Sequence, residues 1–120
     1  LRILLVDDDL PSVDALRELL EYAGHDVLCA ENGREALDCL REAGGIDLIL
    51  LDLMMPVMDG YEFRSEQLED PDLASIPVVV LTADGHAREK ARALHTDRYL
   101  QKPLSPKKVL GLVQADGPSS

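Results

Sequence analysis

Several carboxylates stand where a folding chain rarely wants them. Asp7, Asp8 and Asp9 follow directly behind the apolar run "RILLV", and Asp52 closes "LILLD" ahead of two methionines and a proline. Two further apolar runs end on other chemistry, "PVVVL" on Thr82-Ala83 and "RYLQ" on Lys102-Pro103. Carboxylates held ~5 Å apart repel by roughly 3 kcal/mol per pair at an effective dielectric of 20, so they must take up protons or share a cation. Oxygen-only ligands from Asp7, Asp8 and Asp52 suit Mg²⁺, which keeps several waters and accepts a phosphate oxygen as a further ligand. An aspartate beside such an ion can attack phosphorus and form an acyl phosphate. The charge on the transferred group would then be met by the cation, by the Lys102 ammonium and by the Thr82 hydroxyl. Ala83 is small enough to leave room for that group. No histidine base stands in the set, which fits a phosphate acceptor better than a fast hydrolase.

These groups must be positioned by the elements that carry them. Five short apolar runs, at 2–6, 26–30, 47–51, 77–81 and 98–101, alternate with helix-length amphipathic segments. The first, third and fourth runs are apolar almost throughout, as strands covered on both faces must be, and the last is polar enough for a sheet edge. Val13, Leu16, Leu19, Leu20 and Ala23 recur at helical spacing before Gly24, and Ala36, Leu37, Leu40 and Ala43 do so between Asn32-Gly33 and Gly44-Gly45. A third helix is expected from an Asp59 N-cap, and a fourth at about 86–95 with Ala87, Ala91 and Leu94 inward. Ser105-Pro106 opens a fifth, whose inward face is Val109, Leu110 and Val113. Such alternation predicts a parallel sheet with helices on both faces, and ligands on such sheets bind beyond the carboxyl ends of the strands. The singled-out groups stand at those ends.

Composition narrows the function classes. The 120 residues make one domain, and no apolar run approaches the length of a membrane span. A formal charge of −11 disfavours direct nucleic-acid binding. The charge is uneven: residues 1–85 carry 5 basic and 20 acidic side chains, whereas residues 86–108 carry 7 basic and 2 acidic. That basic segment is either a solvated face or a docking surface. Cys29 and Cys39 lack metal-ligand spacing and read as lone buried thiols in a reducing compartment. No basic leader with an apolar stretch and cleavage site opens the chain, so a cytoplasmic location is expected. The chain also opens without Met, as a fragment of something longer would. Residues 1–115 read as the folded unit and 116–120 as a linker or disordered tail.

The stretches "ILLVDDD", "LILLDLMMPVMDG", "VVVLTA" and "YLQKP" resemble the four signature blocks of bacterial response regulator receiver domains of two-component systems, in the expected order from Arg2 to about Gln114. The resemblance implies a doubly wound (βα)5 flavodoxin-like fold with strand order 2-1-3-4-5. It implies that Asp52 is the phosphoacceptor, that Asp8 binds Mg²⁺ directly and Asp7 largely through water, and that the Met54 carbonyl is a further ligand. Thr82 and Lys102 would hold the phosphoryl group, Lys102-Pro103 would be cis, and Thr82 and Tyr99 would form the conformational switch. The implied partners are a sensor histidine kinase or phosphotransfer protein and an output domain or other partner. The latter would use the face formed by the fourth helix, fifth strand and fifth helix, where a homodimer can also form.

Two departures stand against this pattern. His95-Thr96-Asp97 occupies the place where such domains often have Gly-Ala-Asp, and Thr82 and Lys102 are only 20 positions apart, about two fewer than expected. Both point to a short or displaced fourth helix. Two other readings compete. One is a receiver-like module that works by contact without phosphorylation. The other is a magnesium-dependent aspartyl phosphohydrolase of the haloacid-dehalogenase kind, although Leu10-Pro11 does not suit it and 120 residues leave no room for a cap domain.

Overall fold

The computed structural model describes residues 1–83 and 85–115. Five strands alternate with five helices: β1 (Arg2–Val6), α1 (Leu10–Tyr22), β2 (Asp26–Ala30), α2 (Gly33–Ala43), β3 (Leu48–Asp52), α3 (Gly60–Glu69), β4 (Val78–Thr82), α4 (Ala87–Ala93), β5 (Tyr99–Gln101) and α5 (Pro106–Ala115). All neighbouring strands pair in parallel, in the order β2-β1-β3-β4-β5, the flavodoxin-like arrangement. The sequence expectation of a doubly wound sheet therefore holds, and β5 lies at an edge. The expected tail at 116–120 lies outside the described residues.

Period-two alternation splits the core into two halves. Ile3, Leu5, Leu48, Leu50, Val79 and Leu81 point toward α1 and α5, where Val13, Leu16, Leu20, Val109 and Val113 meet them. Leu4, Val6, Ile49, Leu51, Val78 and Val80 point the other way, onto Ala36, Leu37, Leu40, Phe63, Ala91 and Leu94. Every residue of β3 and β4 is buried, which is why both strands read as continuous apolar runs.

Some expectations need correction. β3 and β4 each sit one residue later than expected, so Asp52 and Thr82 are the last residues of their strands. Ala23 lies past the end of α1 and is exposed. Cys29 and Cys39 are free but only half-buried, because β2 is an edge strand and leaves its flank open to solvent. α4 is shorter than the expected 86–95, with seven residues.

The helix ends explain how the loops over the strands are set. The Asp59 carboxylate accepts the Glu62 amide at 2.9 Å while Glu62 reaches back to the Asp59 amide, a reciprocal cap at the start of α3. Asn32 caps α2 in the same sense, accepting from the Glu35 amide at 2.9 Å. Ser105 accepts the Lys108 amide at the start of α5, as its sequence position suggested.

Candidate functional site

Alternation along the strands decides which side chains can meet at the carboxyl edge. Asp52 shares the side of Leu48 and Leu50. Asp7 and Lys102 extend β1 and β5 by one residue, through ladder bonds from the Asp7 amide to Ala30 O (3.1 Å) and from the Lys102 amide to Thr82 O (2.8 Å). They keep the side of Ile3 and Leu5 and of Leu100 respectively. Three polar groups from three strands are thereby delivered to one place.

Carboxylate oxygens of Asp7, Asp8 and Asp52 lie within 4.8 Å of one another, with Asp7 and Asp52 buried and Asp8 exposed. The Lys102 ammonium stands 3.0 Å from Asp7 Oδ2 and 3.8 Å from Asp52 Oδ1. Asp7 Oδ1 accepts the Asp9 amide at 3.0 Å, so both of its oxygens are engaged. Asp9 itself turns away to start α1 and takes the Ser12 hydroxyl.

The electrostatics follow from this packing. Burial pushes the Asp52 carboxyl up to about 6; the Asp7 charge adds to the shift, Lys102 opposes it, and Asp8 adds a smaller push. Burial works against the Lys102 ammonium, but its hydrogen bond to Asp7 and the charges of Asp52, Asp7 and Asp9 outweigh that and raise it. Three carboxylates facing one ammonium leave an excess of negative charge. An all-oxygen donor set of that sign and spacing fits a hard divalent cation such as Mg²⁺.

The other expected site residues fall around this cluster. Thr82 is buried at the end of β4, where β4 pairs Leu81 with Asp52 on one side and Thr82 with Gln101 on the other. Met54 lies two residues past Asp52, with its side chain 74% exposed. Lys102-Pro103 is cis, as expected. Tyr99 is half-buried on β5 against the α3–α4 half of the core, and its proximity to Arg88 of α4 raises Arg88. The structure thus brings Asp7, Asp8, Asp52 and Lys102 together, with Thr82 on the next strand end. It sets Tyr99 at the start of β5, away from the cluster.

Two glycines shape the site, a role the sequence reading did not give them. A Cβ on Gly60 would meet Asp52 O at 2.8 Å and Leu53 Cα at 2.9 Å, and the Gly60 amide donates to Leu53 O at 3.0 Å. A Cβ on Gly33 would meet Met58 Cγ at 2.7 Å, and its amide donates to Met58 O at 2.8 Å. The loop after Asp52 is therefore held between the first turns of α2 and α3. Both glycines were visible, but as helix-start punctuation; only the three-dimensional approach of backbone to backbone reveals the need. Within that loop Val57 has φ 67°, and Met58 N donates to Pro56 O at 2.7 Å, a three-residue turn.

A parallel sheet with an acid cluster, a lysine and a threonine at its carboxyl edge defines a doubly wound α/β module with its site beyond the strand ends. Residues 3–114 match the family described as "Response regulator receiver domain", and the chain belongs to that family. Among curated proteins, the transcriptional regulatory protein CpxR of Escherichia coli K12 is 37% identical over 116 residues, covering 95% of this chain and 48% of CpxR. The phosphate regulon transcriptional regulatory protein PhoB of Pseudomonas aeruginosa is 36% identical over 115 residues, 94% of this chain and 50% of PhoB. The chain thus spans about half the length of these relatives. Among solved structures, the chemotaxis response regulator CheY4 of Vibrio cholerae superposes with a TM-score of 0.86 at 29% identity, covering 97% of this chain and 98% of CheY4. The signal receiver domain of a signal transduction histidine kinase from Syntrophus aciditrophicus gives a TM-score of 0.83 at 33% identity, over 96% of this chain and 88% of that one. This is a signalling module of two-component type, which implies a sensor kinase as partner. No helix among the described residues is long and apolar enough to cross a membrane.

Proposed function

We propose that residues 1–115 form a phosphoacceptor receiver that takes a phosphoryl group onto Asp52 from a phosphohistidine of a sensor histidine kinase or phosphotransfer protein. The observation that carries this reading is the meeting of Asp7, Asp8 and Asp52 within 4.8 Å, with Lys102 between Asp7 and Asp52. Asp52 contributes an oxygen to phosphorus as the P–N bond to the donor histidine breaks, leaving an acyl phosphate and an imidazole. Asp7, Asp8, Asp52 and the Met54 carbonyl would hold Mg²⁺, which would supply charge neutralisation to the transferring group. Lys102, already 3.8 Å from Asp52, holds another oxygen of that group, and the Thr82 hydroxyl donates to a third. Slow hydrolysis of the acyl phosphate by the domain itself belongs to the same reading.

Movement of Thr82 toward the phosphoryl group and inward rotation of Tyr99 would then shift the population of two conformations. Tyr99 lies close enough to Arg88 of α4 to raise it, so rotation of the ring would change that proximity. The output leaves by the basic α4-β5-α5 face toward an output domain, a partner or a second copy. Reversing Lys107 and Lys108 to Glu should weaken that association in sedimentation or pull-down; unchanged association removes the face from the proposal. Cys29 and Cys39 as free thiols fit a cytoplasmic setting.

Incubation with acetyl phosphate and Mg²⁺, followed by intact mass, tests the central claim. The expected result is a Mg²⁺-dependent gain of one phosphate that Asp52→Asn abolishes. No gain would leave the contact-only module, which the seven-residue α4 favours.

A further inference from the structure

The end of the sheet opposite Asp52 carries the reverse charge. A cavity of about 550 Å³ opens at the start of β4 and β5, between α3, the segment leading into β4, and the last turn of α4. Arg64, Arg92, Arg98 and His95 line it, against a single acid, Asp97. In a chain of net charge −11 such a lining is a local inversion. Its floor is the unusual part. Arg64 is 7% exposed, and its guanidinium reaches only neutral acceptors: Leu94 O at 2.9 Å, Gln67 Oε1 at 2.7 Å and His95 O at 3.4 Å. Among the described residues no carboxylate pairs with it. Burial alone pulls its proton affinity below the usual value, with no acid to restore it. A buried cation without a counter-charge is costly, and carbonyl dipoles offset only part of that cost.

The carbonyls that end α4 would normally repel an anion. Here several of them are already engaged: Ala91 O accepts from Leu94 and Thr96, Arg92 O from His95, and Leu94 O and His95 O from Arg64. Arg64 spends three N–H donors in these bonds, and its remaining donors, with the fork of the exposed Arg92, match the tetrahedral face of an oxyanion. The size is within the range of small-ligand sites. We propose that this cavity binds a phosphate dianion, free or carried on a small molecule, with Arg64 as its floor and Arg92 and Arg98 as its walls. The site is separate from the acid cluster and does not depend on phosphorylation of Asp52. Because Arg64 ties α3 to the exit of α4, an occupant would hold those two elements together.

The test is a backbone-amide NMR titration of the whole chain in EDTA at constant ionic strength, with inorganic phosphate, glycerol 3-phosphate and acetate as probes. EDTA keeps cation-bridged phosphate away from Asp7, Asp8 and Asp52. Phosphate should give saturable shifts confined to residues 74–78 and 92–98, while acetate does not saturate over the same range. Arg92→Gln with Arg98→Gln should weaken phosphate at least tenfold, whereas Lys107→Gln with Lys108→Gln removes the same charge elsewhere and leaves the affinity unchanged. If the double arginine variant loses its fold, Arg92→Gln alone, at an exposed position, should still weaken binding at least threefold. Tighter glycerol 3-phosphate marks a carried phosphate as the ligand, and equal affinity marks the free ion. Shifts that stay linear, spread over the surface, or fall equally with the lysine pair overturn the site.

Discussion

Asp52 is the residue whose chemistry and stability oppose each other. Its folded pKa of about 6 lies above the ordinary value of 3.8, chiefly through burial and then through Asp7. Between these two values the unfolded chain is already ionised while the folded one still holds the proton. Stability contributed by that proton is therefore present at low pH and lost as pH rises toward 6. At neutral pH the ionised, cation-free site costs the fold about 2–3 kcal/mol at most. Asp52→Asn should melt higher than the parent in EDTA at pH 7.5, with the advantage gone below pH 4, and Mg²⁺ should raise the parent more than the variant. Parent and variant melting together at pH 7.5 would contradict the burial argument. Asp7, Asp8, Asp52 and Lys102 were legible because each ends an apolar run. The direct Lys102–Asp7 contact was not, since a side-chain contact between strands that do not pair, 95 positions apart, leaves no local mark.

At the scale of elements, α3 and α4 show where sequence patterning loses its grip. The inward positions of α3 are Gly60, Phe63, Arg64 and Gln67, a regular helical stripe in which two members are polar. Periodicity counts Arg and Gln as outward, so the stripe was invisible. Its logic is hydrogen bonding: Gln67 donates to Leu73 O and Ile76 O while accepting from Arg64. In α4 the departure His95-Thr96 has a structural answer. His95 adopts φ 58°, and the Thr96 and His95 amides return to Ala91 O and Arg92 O, so histidine fills the left-handed position that glycine usually takes. Thr96 adds a bond from its hydroxyl to Val78 O at 2.8 Å, which alanine could not make. His95→Gly should remove a left-handed strain of about 1–2 kcal/mol, less the added freedom of the unfolded chain. A net gain of about 0.5–1 kcal/mol is expected in urea unfolding, and a loss would show that the histidine side chain itself holds the cap.

Across the whole molecule, the fold was readable because the sheet is buried on both faces. β1, β3 and β4 announce themselves as apolar runs, and "RYLQ" betrays an edge by its polarity. Strand order was a different matter, supplied by the resemblance, since pairing partners leave no trace in a single run. The same burial sets a gradient of local stability. α4 buries only Ala87 and Ala91 within its seven residues, whereas β3 and β4 bury every side chain. Hydrogen exchange should therefore release the amides of α4 first and those of β1, β3 and β4 last. Protection of α4 equal to that of β3 would show that the Arg64 tie counts for more than the lack of apolar contact.

That gradient combines with the clamp on the loop after Asp52. Gly33 and Gly60 seat this loop against two helix starts with no room for even a methyl group, so the wall on the α2–α3 side is stiff. The wall on the other side is the β4–α4 edge, with small side chains and one turn fewer to hold it. A phosphoryl group on Asp52, as proposed, would meet a boundary of unequal compliance, and displacement would go to the softer flank. On the proposed function a direction would be built into the molecule before any signal arrives: what enters at the end of β3 would be conducted sideways toward α4.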